Sequence, residues 1–368
     1  MRKKLTALGL VLLLMLSLVS CGETQETDDG RLQVVATLFP YYDIARAIAG
    51  ERANVTLLVS AGRESHSYEP TPMDIIRIGE ADLFLYNGGT DETWTTEILA
   101  TTDHNLAIPM LEQVEKHEEE LQEGMQVDRG HGHSHEEAVC DDPEHDHETD
   151  AEIHDEASCD DDSHDHAHAA EPEHEEDPSH EHDHEEDDHA HEIEYDEHIW
   201  TSPVNAMTIA RVTAEALMTL DAENASYYEA NLEGYLAELA ALDTSFREVV
   251  EHAERRLIVL GDRFPLLYFC REYGLDYRAA FLGCSTETEP SAATTAYLID
   301  RVREEQIPCV YYLENSSGLV AEAISEAGGA EPCLIYSCQT VSPADFRAGE
   351  TYLSLMQRNV EALKKGLN

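Results

Sequence analysis

Between Glu118 and Glu197 the chain carries 35 acidic residues against a single basic one, Arg129, together with 15 of its 20 histidines. Large apolar side chains are almost absent from this stretch. It buries too little surface to offset the entropy of ordering it, so a disordered insertion is expected over 118–197. Whatever folds must be assembled from the sequence on either side. The formal net charge of -54 is concentrated in the insertion. Such acidity repels phosphates and excludes nucleic acid as a partner, but it suits cations.

On both sides of the insertion, short apolar runs alternate with amphipathic stretches. LQVVATL precedes a helix at 41–49, and NVTLLVS a helix at 72–80; ADLFLYNG, a helix at 91–100 and NLAIPM follow. Later, RLIVLG, LDYRAAF, PCVYYLEN and PCLIYS alternate with segments of helical period, the last being TYLSLMQRNVEALKKGL. This rhythm predicts an α/β fold of two lobes, each with a parallel sheet covered on both faces. Residues 32–117 and 198–220 form the N-terminal lobe, and 257–368 the C-terminal lobe. The linking stretch 221–256 has no proline and one glycine, Gly234, with aromatic and leucine positions every three or four residues. About thirty helical residues would reach ~45 Å, a rigid strut along both lobes; two helices broken near Gly234 are the alternative. Open parallel sheets bind ligands beyond the carboxyl ends of their strands, which in two lobes face each other across a cleft. LFPYYD after the first strand is no glycine-rich phosphate loop, so a nucleotide is not indicated.

The start of the chain sets an expectation for its compartment. MRKK is basic, LTALGLVLLLML is apolar but short, and LVSC follows, so residues 1–20 read as a secretory signal peptide. Leu18-Val19-Ser20-Cys21 resembles the bacterial lipobox, which implies lipidation of Cys21. A polar tether over 21–31 would then hold the protein at the outer face of the cytoplasmic membrane. Of the remaining cysteines, Cys140 and Cys159 lie in the insertion, while Cys270, Cys284, Cys309, Cys333 and Cys338 lie in the C-terminal third. Disulfides are permitted in an exported protein.

His66 stands in the loop after NVTLLVS, just ahead of a proline-started helix, and Glu69 is placed to orient its imidazole or the loop. SHSYEPTPMDI and ADLFLYNG, with DEHIWTSPVNAMTIA further on, resemble the metal-binding lipoproteins of bacterial zinc and manganese ABC importers (cluster A-I). That family has P-H-x-Y-E-x-x-P for its first histidine ligand and D-P-H-x-W-x-x-P for its second; His66 and His198 fall on those positions. Here Ser65 and Glu197 precede the two histidines in place of the usual residues. The resemblance runs from Leu32 to Leu367 and includes REYGL and YLSLMQRNVEAL. It implies two α/β lobes joined by a rigid helix, with the ion in the cleft. It also implies an ABC permease and ATPase as partners, a monomer, and no catalysis. The histidine-rich insertion marks the zinc members, and imidazole is a good zinc ligand whereas manganese sites lean on carboxylates. Zn²⁺ is therefore the expected cargo, with the insertion as a weak, multi-site trap for it. A manganese or iron importer component and a surface metal buffer or adhesin are the rival readings.

The second lobe departs from that family. Its third ligand aligns with Arg263, which has no lone pair for a metal. Asp262 supplies an oxygen if the loop is shifted, or pairs with Arg263 and binds nothing. At the fourth position stand Cys338 or Gln339, with Asp345 too far along. Cys338 would be a good zinc donor as thiolate, but Cys284 also follows a strand of this lobe. Cys284–Cys338 is thus a candidate disulfide, as is Cys309–Cys333. Cys270 is expected to be a small buried hydrophobe. Glu287 and Glu289 are further oxygen candidates near the cleft, or helix caps.

Overall fold

The structure, a computed structural model, describes residues 30–102, 106–125, 194–285 and 289–368. In the N-terminal lobe the apolar run Leu32–Ala36 (β1) pairs in parallel with Ala53–Leu57 (β2) on one edge and Leu83–Tyr86 (β3) on the other. Leu106–Pro109 (β4) extends the sheet, giving the order β2-β1-β3-β4. Parallel neighbours need crossovers, which are supplied by helices Phe39–Ala49 (α1), Pro72–Glu80 (α2) and Trp94–Thr101 (α3). Local chemistry sets the start of α2. The Thr71 hydroxyl accepts from the Asp74 N–H at 3.3 Å while Asp74 Oδ2 accepts from the Thr71 N–H at 2.9 Å, a reciprocal cap worth about 1 kcal/mol.

The C-terminal lobe repeats the topology. Leu257–Phe264 (β5), Asp276–Leu282 (β6), Cys309–Leu313 (β7) and Glu331–Ile335 (β8) form a parallel sheet in the order β6-β5-β7-β8. Between the lobes come Pro203–Leu220 (α4) and Ala225–Glu251 (α5); Leu267–Tyr273 (α6), Ala292–Glu304 (α7), Leu319–Gly328 (α8), Pro343–Ala348 (α9) and Tyr352–Gly366 (α10) follow. The register of β5 slips between Leu260 and Arg263. Gly261 sits in that slip, and a Cβ there would come within 2.7 Å of the Ala321 backbone of α8. Close packing thus demands glycine at the point where Asp262 and Arg263 emerge.

The helix α5 runs unbroken through Gly234, roughly 40 Å at 1.5 Å per residue. Near its start Asn231 donates to the carbonyl of Ile48 at 2.9 Å. Near its end Phe246 stacks edge-on against Phe269 of α6 at 4.8 Å. One stiff rod therefore touches both lobes. The helix α10 ties them again: the Tyr352 hydroxyl donates to the Trp200 carbonyl at 2.6 Å, and the Tyr352 N–H to Asp43 at 2.8 Å.

The margins of the acidic stretch are folded, which corrects the expectation of disorder across all of 118–197. Glu118 and Tyr195 form an antiparallel bridge. The Asp196 N–H donates to the His117 carbonyl at 2.9 Å, and the Tyr268 hydroxyl caps the Asp196 carbonyl at 3.0 Å. Asp196 and Glu197 are buried. A stretch defined by charge alone thus ended too late, because these carboxylates have partners that compensate their burial. The signal sequence, Cys21, the tether, Cys140, Cys159 and all 15 clustered histidines lie outside the described residues. Among the described residues no helix is long and apolar enough to cross a membrane.

Candidate metal centre

The site assembles at the carboxyl ends of the strands. After β2 the chain turns tightly at 65–68, the Tyr68 N–H donating to the Ser65 carbonyl at 3.0 Å and the Tyr68 hydroxyl to Asp74 at 2.8 Å. This turn carries His66, whose side chain is 2% exposed. Its Nδ1 hydrogen-bonds the Asp91 carboxylate, and its Nε2 accepts from the Gln339 amide at 3.1 Å. Asp91 follows β3. Burial opposes its ionisation, but the hydrogen bond and charge of His66, with His198 behind it, hold its carboxyl below the usual range.

His198 opens the short 3₁₀ turn Ile199–Thr201 and is wholly buried. Its ring centroid lies 5.8 Å from that of His66. Nδ1 is 3.3 Å from Asp196 Oδ1, which also accepts the His198 N–H at 2.9 Å. Neither ring nitrogen has a hydrogen-bond partner among the described residues. Burial would lower the basicity of this ring, but Asp196, Asp91 and Glu119 outweigh it and the pKa is raised. A buried imidazole whose nitrogens lack hydrogen-bond partners, with a carboxylate facing one of them, suits a metal-ligating histidine.

Glu197, standing where the resembling motif has proline, fastens these pieces together. Its Oε1 accepts from the Thr90 hydroxyl at 3.0 Å and the Asp91 N–H at 3.2 Å, and its backbone carbonyl accepts from Asn87 at 3.2 Å. Gly89, at φ +88°, takes a backbone conformation that favours glycine, and a Cβ there would run into the Glu197 carboxylate. Burial, then the charge of Asp91, pushes Glu197 up to about 7.

From the second lobe comes Cys284, just past β6. Its N–H donates to Glu119 at 3.2 Å, and burial, then Asp91 and Glu119, hold its thiol well above the usual range. One donor atom each of His66, Asp91 and Cys284 lie within 4.8 Å of one another. Beside them opens a cavity of about 340 Å³ lined by Glu64, Asp262, Arg263, Ser337 and Gln339 among others. There Arg263 bonds Glu64 across the lobes at 2.8 Å. Burial opposes ionisation of Glu64, yet Arg263 and then His66 keep its carboxyl below the usual range.

Of the residues singled out from sequence, His66 and His198 come together. Asp262 does not join them: its oxygens accept from the Arg263 N–H at 2.9 Å and the Leu313 N–H at 3.3 Å. Cys338 is enclosed and outside the donor group, while its neighbour Ser337 is gripped by Glu314 through N–H and hydroxyl, both at 2.7 Å. Glu69 is exposed, and the carboxylate on the His66 ring is that of Asp91 instead. Glu289 is exposed, and Glu287 lies outside the described residues. Neither expected disulfide is formed. Cys284, Cys338, Cys309 and Cys333 are free thiols: Cys284 lies with Asp91 and His66, and on the neighbouring strands β7 and β8 Cys309 stands opposite Glu331 and Cys333 opposite Tyr311, so the two are not paired in register. Cys270 is buried as a free thiol. Asp91 went unnoticed in the sequence, although it follows a strand end, the place where a ligand was sought.

Residues 34–366 match the family described as zinc-uptake complex component A, periplasmic. Over 363 residues the chain is 29% identical to the zinc-binding lipoprotein AdcA of Streptococcus pneumoniae, a match covering 99% of this chain and 61% of that protein. The chain thus spans about three-fifths of the length of that relative. It is 28% identical over 372 residues to the high-affinity zinc uptake system protein ZnuA of Bacillus subtilis, covering 100% of this chain and 99% of that one. In fold it is similar to the Zn(II)-bound ZnuA-like domain of S. pneumoniae AdcA, with a TM-score of 0.64 and 25% identity over 92% of this chain and 99% of that one. The metal-dependent lipoprotein YcdH of B. subtilis shares the fold at a TM-score of 0.65, 24% identical, over 92% of this chain and 99% of that one. Matched along nearly the whole of its folded length, the chain belongs to the family of the periplasmic component A of zinc-uptake complexes.

Proposed function

We propose that this protein is an extracytoplasmic zinc-binding lipoprotein that captures Zn²⁺ between its lobes and hands it to an ABC permease driven by an ATPase. The carrying observation is the convergence of His66 and His198, from separate loops, on one buried spot with ring centroids 5.8 Å apart. Burying two imidazoles beside carboxylates has no packing benefit that an apolar pair would not exceed, but it suits a divalent cation that prefers nitrogen donors. The relatives named as zinc-binding and zinc-uptake proteins support the same cargo. The reading extends to a monomer lipidated at Cys21 behind an export signal over 1–20. The protein performs no bond chemistry: its task ends at capture and release. The rod α5, touching both lobes, keeps the lobe movement that accompanies release small. The histidine-rich stretch raises the local zinc concentration as a weak trap, while His66 and His198 hold the ion that is delivered.

Zinc titration of the metal-free protein in competition with a chromophoric chelator tests this. One tight equivalent is expected above a set of weaker ones. His66→Ala and His198→Ala should each abolish the tight equivalent and leave the weak ones. Persistence of tight one-to-one binding in both variants would overturn the assignment.

A further inference from the structure

We infer that Cys284 is the ligand with which the C-terminal lobe closes the metal site, so that zinc is held by a mixed set of His66, His198, Asp91 and Cys284. This rests on the zinc-capture reading and adds the donor that makes the site span both lobes. Arg263 offers no lone pair and is committed to Glu64. The oxygens of Asp262 are occupied by backbone N–H groups. Gln339 turns its amide nitrogen to His66, and Cys338 is enclosed elsewhere. Among the His, Cys, Asp and Glu side chains of the described residues, Cys284 alone brings a second-lobe donor atom within 4.8 Å of both His66 and Asp91.

One further observation points to an ion at this spot. His198 is not one of the 4.8 Å group, but it is wholly buried with its ring centroid 5.8 Å from that of His66, and neither of its ring nitrogens has a hydrogen-bond partner among the described residues. The residue before Cys284 is Gly283, where a Cβ would meet the Phe264 carbonyl oxygen at 2.8 Å, His198 Cε1 at 3.1 Å and Asp196 Oδ2 at 3.2 Å, so glycine lets the Cys284 strand end pack close against β5 and that ring. Cys284 is fixed in turn by the bond from its N–H to Glu119 on the folded margin of the acidic stretch. On capture the sulfur–hydrogen bond breaks, the zinc–sulfur bond forms, and the proton leaves to solvent. A thiolate favours zinc over manganese, a metal of oxygen-rich sites, so Cys284 would set metal choice as well as affinity.

The test uses the full chain with Cys21→Ser, Cys140→Ser and Cys159→Ser, so that thiols outside the described residues do not contribute. With one equivalent of zinc, X-ray absorption should find one sulfur neighbour at about 2.3 Å. With one equivalent of cobalt(II), a thiolate-to-metal charge-transfer band should appear; it should vanish in Cys284→Ser and Cys284→Ala and persist in Cys338→Ser. Zinc affinity in the Cys284 variants should fall by more than the 10–100-fold typical of losing an outer partner, with manganese affinity little changed. Tight binding through nitrogen and oxygen alone, or a charge-transfer band that survives Cys284→Ala, would overturn the inference while leaving zinc capture standing. Absence of any tight one-to-one binding would overturn both. The X-ray measurement on the protein with Cys284 intact decides the matter even where a Cys284 variant fails to fold.

Discussion

Replacing Asp196 by asparagine isolates what a buried carboxylate does for a histidine ligand. The side chain is 1% exposed, and its Oδ1 both accepts the His198 N–H at 2.9 Å and lies 3.3 Å from Nδ1. Asparagine has the same shape and keeps that acceptor. The backbone bonds of residue 196 to His117 and the Tyr268 hydroxyl do not involve the side chain at all. The substitution therefore removes a negative charge and little else. Against the effect of burial, the carboxylate facing Nδ1 raises the basicity of the ring. Losing such an outer partner costs 10–100-fold in metal affinity, or about 1.4–2.8 kcal/mol. Metal-free stability should move by no more than about 1 kcal/mol, because the charge removed also repels Glu119. Competition titration with a chelator gives the affinity, and urea unfolding of the metal-free protein gives the stability. An affinity within twofold of the parent, in a folded variant, would refute the claim that Asp196 prepares His198 for a cation. A metal-free destabilisation as large as the loss of affinity would show that the carboxylate serves the fold instead.

Replacing residues 126–193 by a short Gly/Ser linker should preserve one tight zinc equivalent and abolish the weaker ones, as isothermal titration would register. Extending the deletion to residues 118–194 should weaken the tight site too, since it removes Glu119, the acceptor of the Cys284 N–H. Glu314 is pushed up to about 7, chiefly by burial and against its hydrogen bonds from Ser337. Its stabilising contribution is thus full below about pH 4.5 and is lost as pH rises through 7, a change of about 3 kcal/mol. Glu314→Gln should therefore gain stability relative to the parent between pH 5 and pH 8 by urea unfolding. Gly234 is exposed in mid-helix, and a Cβ added there would meet nothing within 4 Å; Gly234→Ala should stabilise by about 1 kcal/mol, visible as a raised Tm.

The fold was legible because its signals are local and periodic. Strands such as LFLY and CVYYL are continuous apolar runs, as expected of strands buried on both faces, and proline or capping residues mark the starts of α2, α4 and α9. The first-lobe half of the site was legible for a similar reason: His66 and His198 each sit in a short motif that also contains the residues fixing their turns. The rest of the site has no such motif. Asp91 reaches His66 only because Glu197, more than a hundred residues later, accepts the Asp91 N–H. Cys284 reaches the same point only because β6 ends there and Glu119 holds its N–H. Contacts of that sequence separation leave no periodicity and no fixed spacing to read, and in an exported chain a cysteine is read first as half of a disulfide. Composition then misled in one direction at both places. Glu119, Asp196 and Glu197 look like the last members of a solvated acidic run, yet each accepts from a backbone N–H that positions a donor or its loop. In a chain this acidic, the carboxylates that matter to the site are distinguished by having a buried partner, which is a property of the fold and not of the residue.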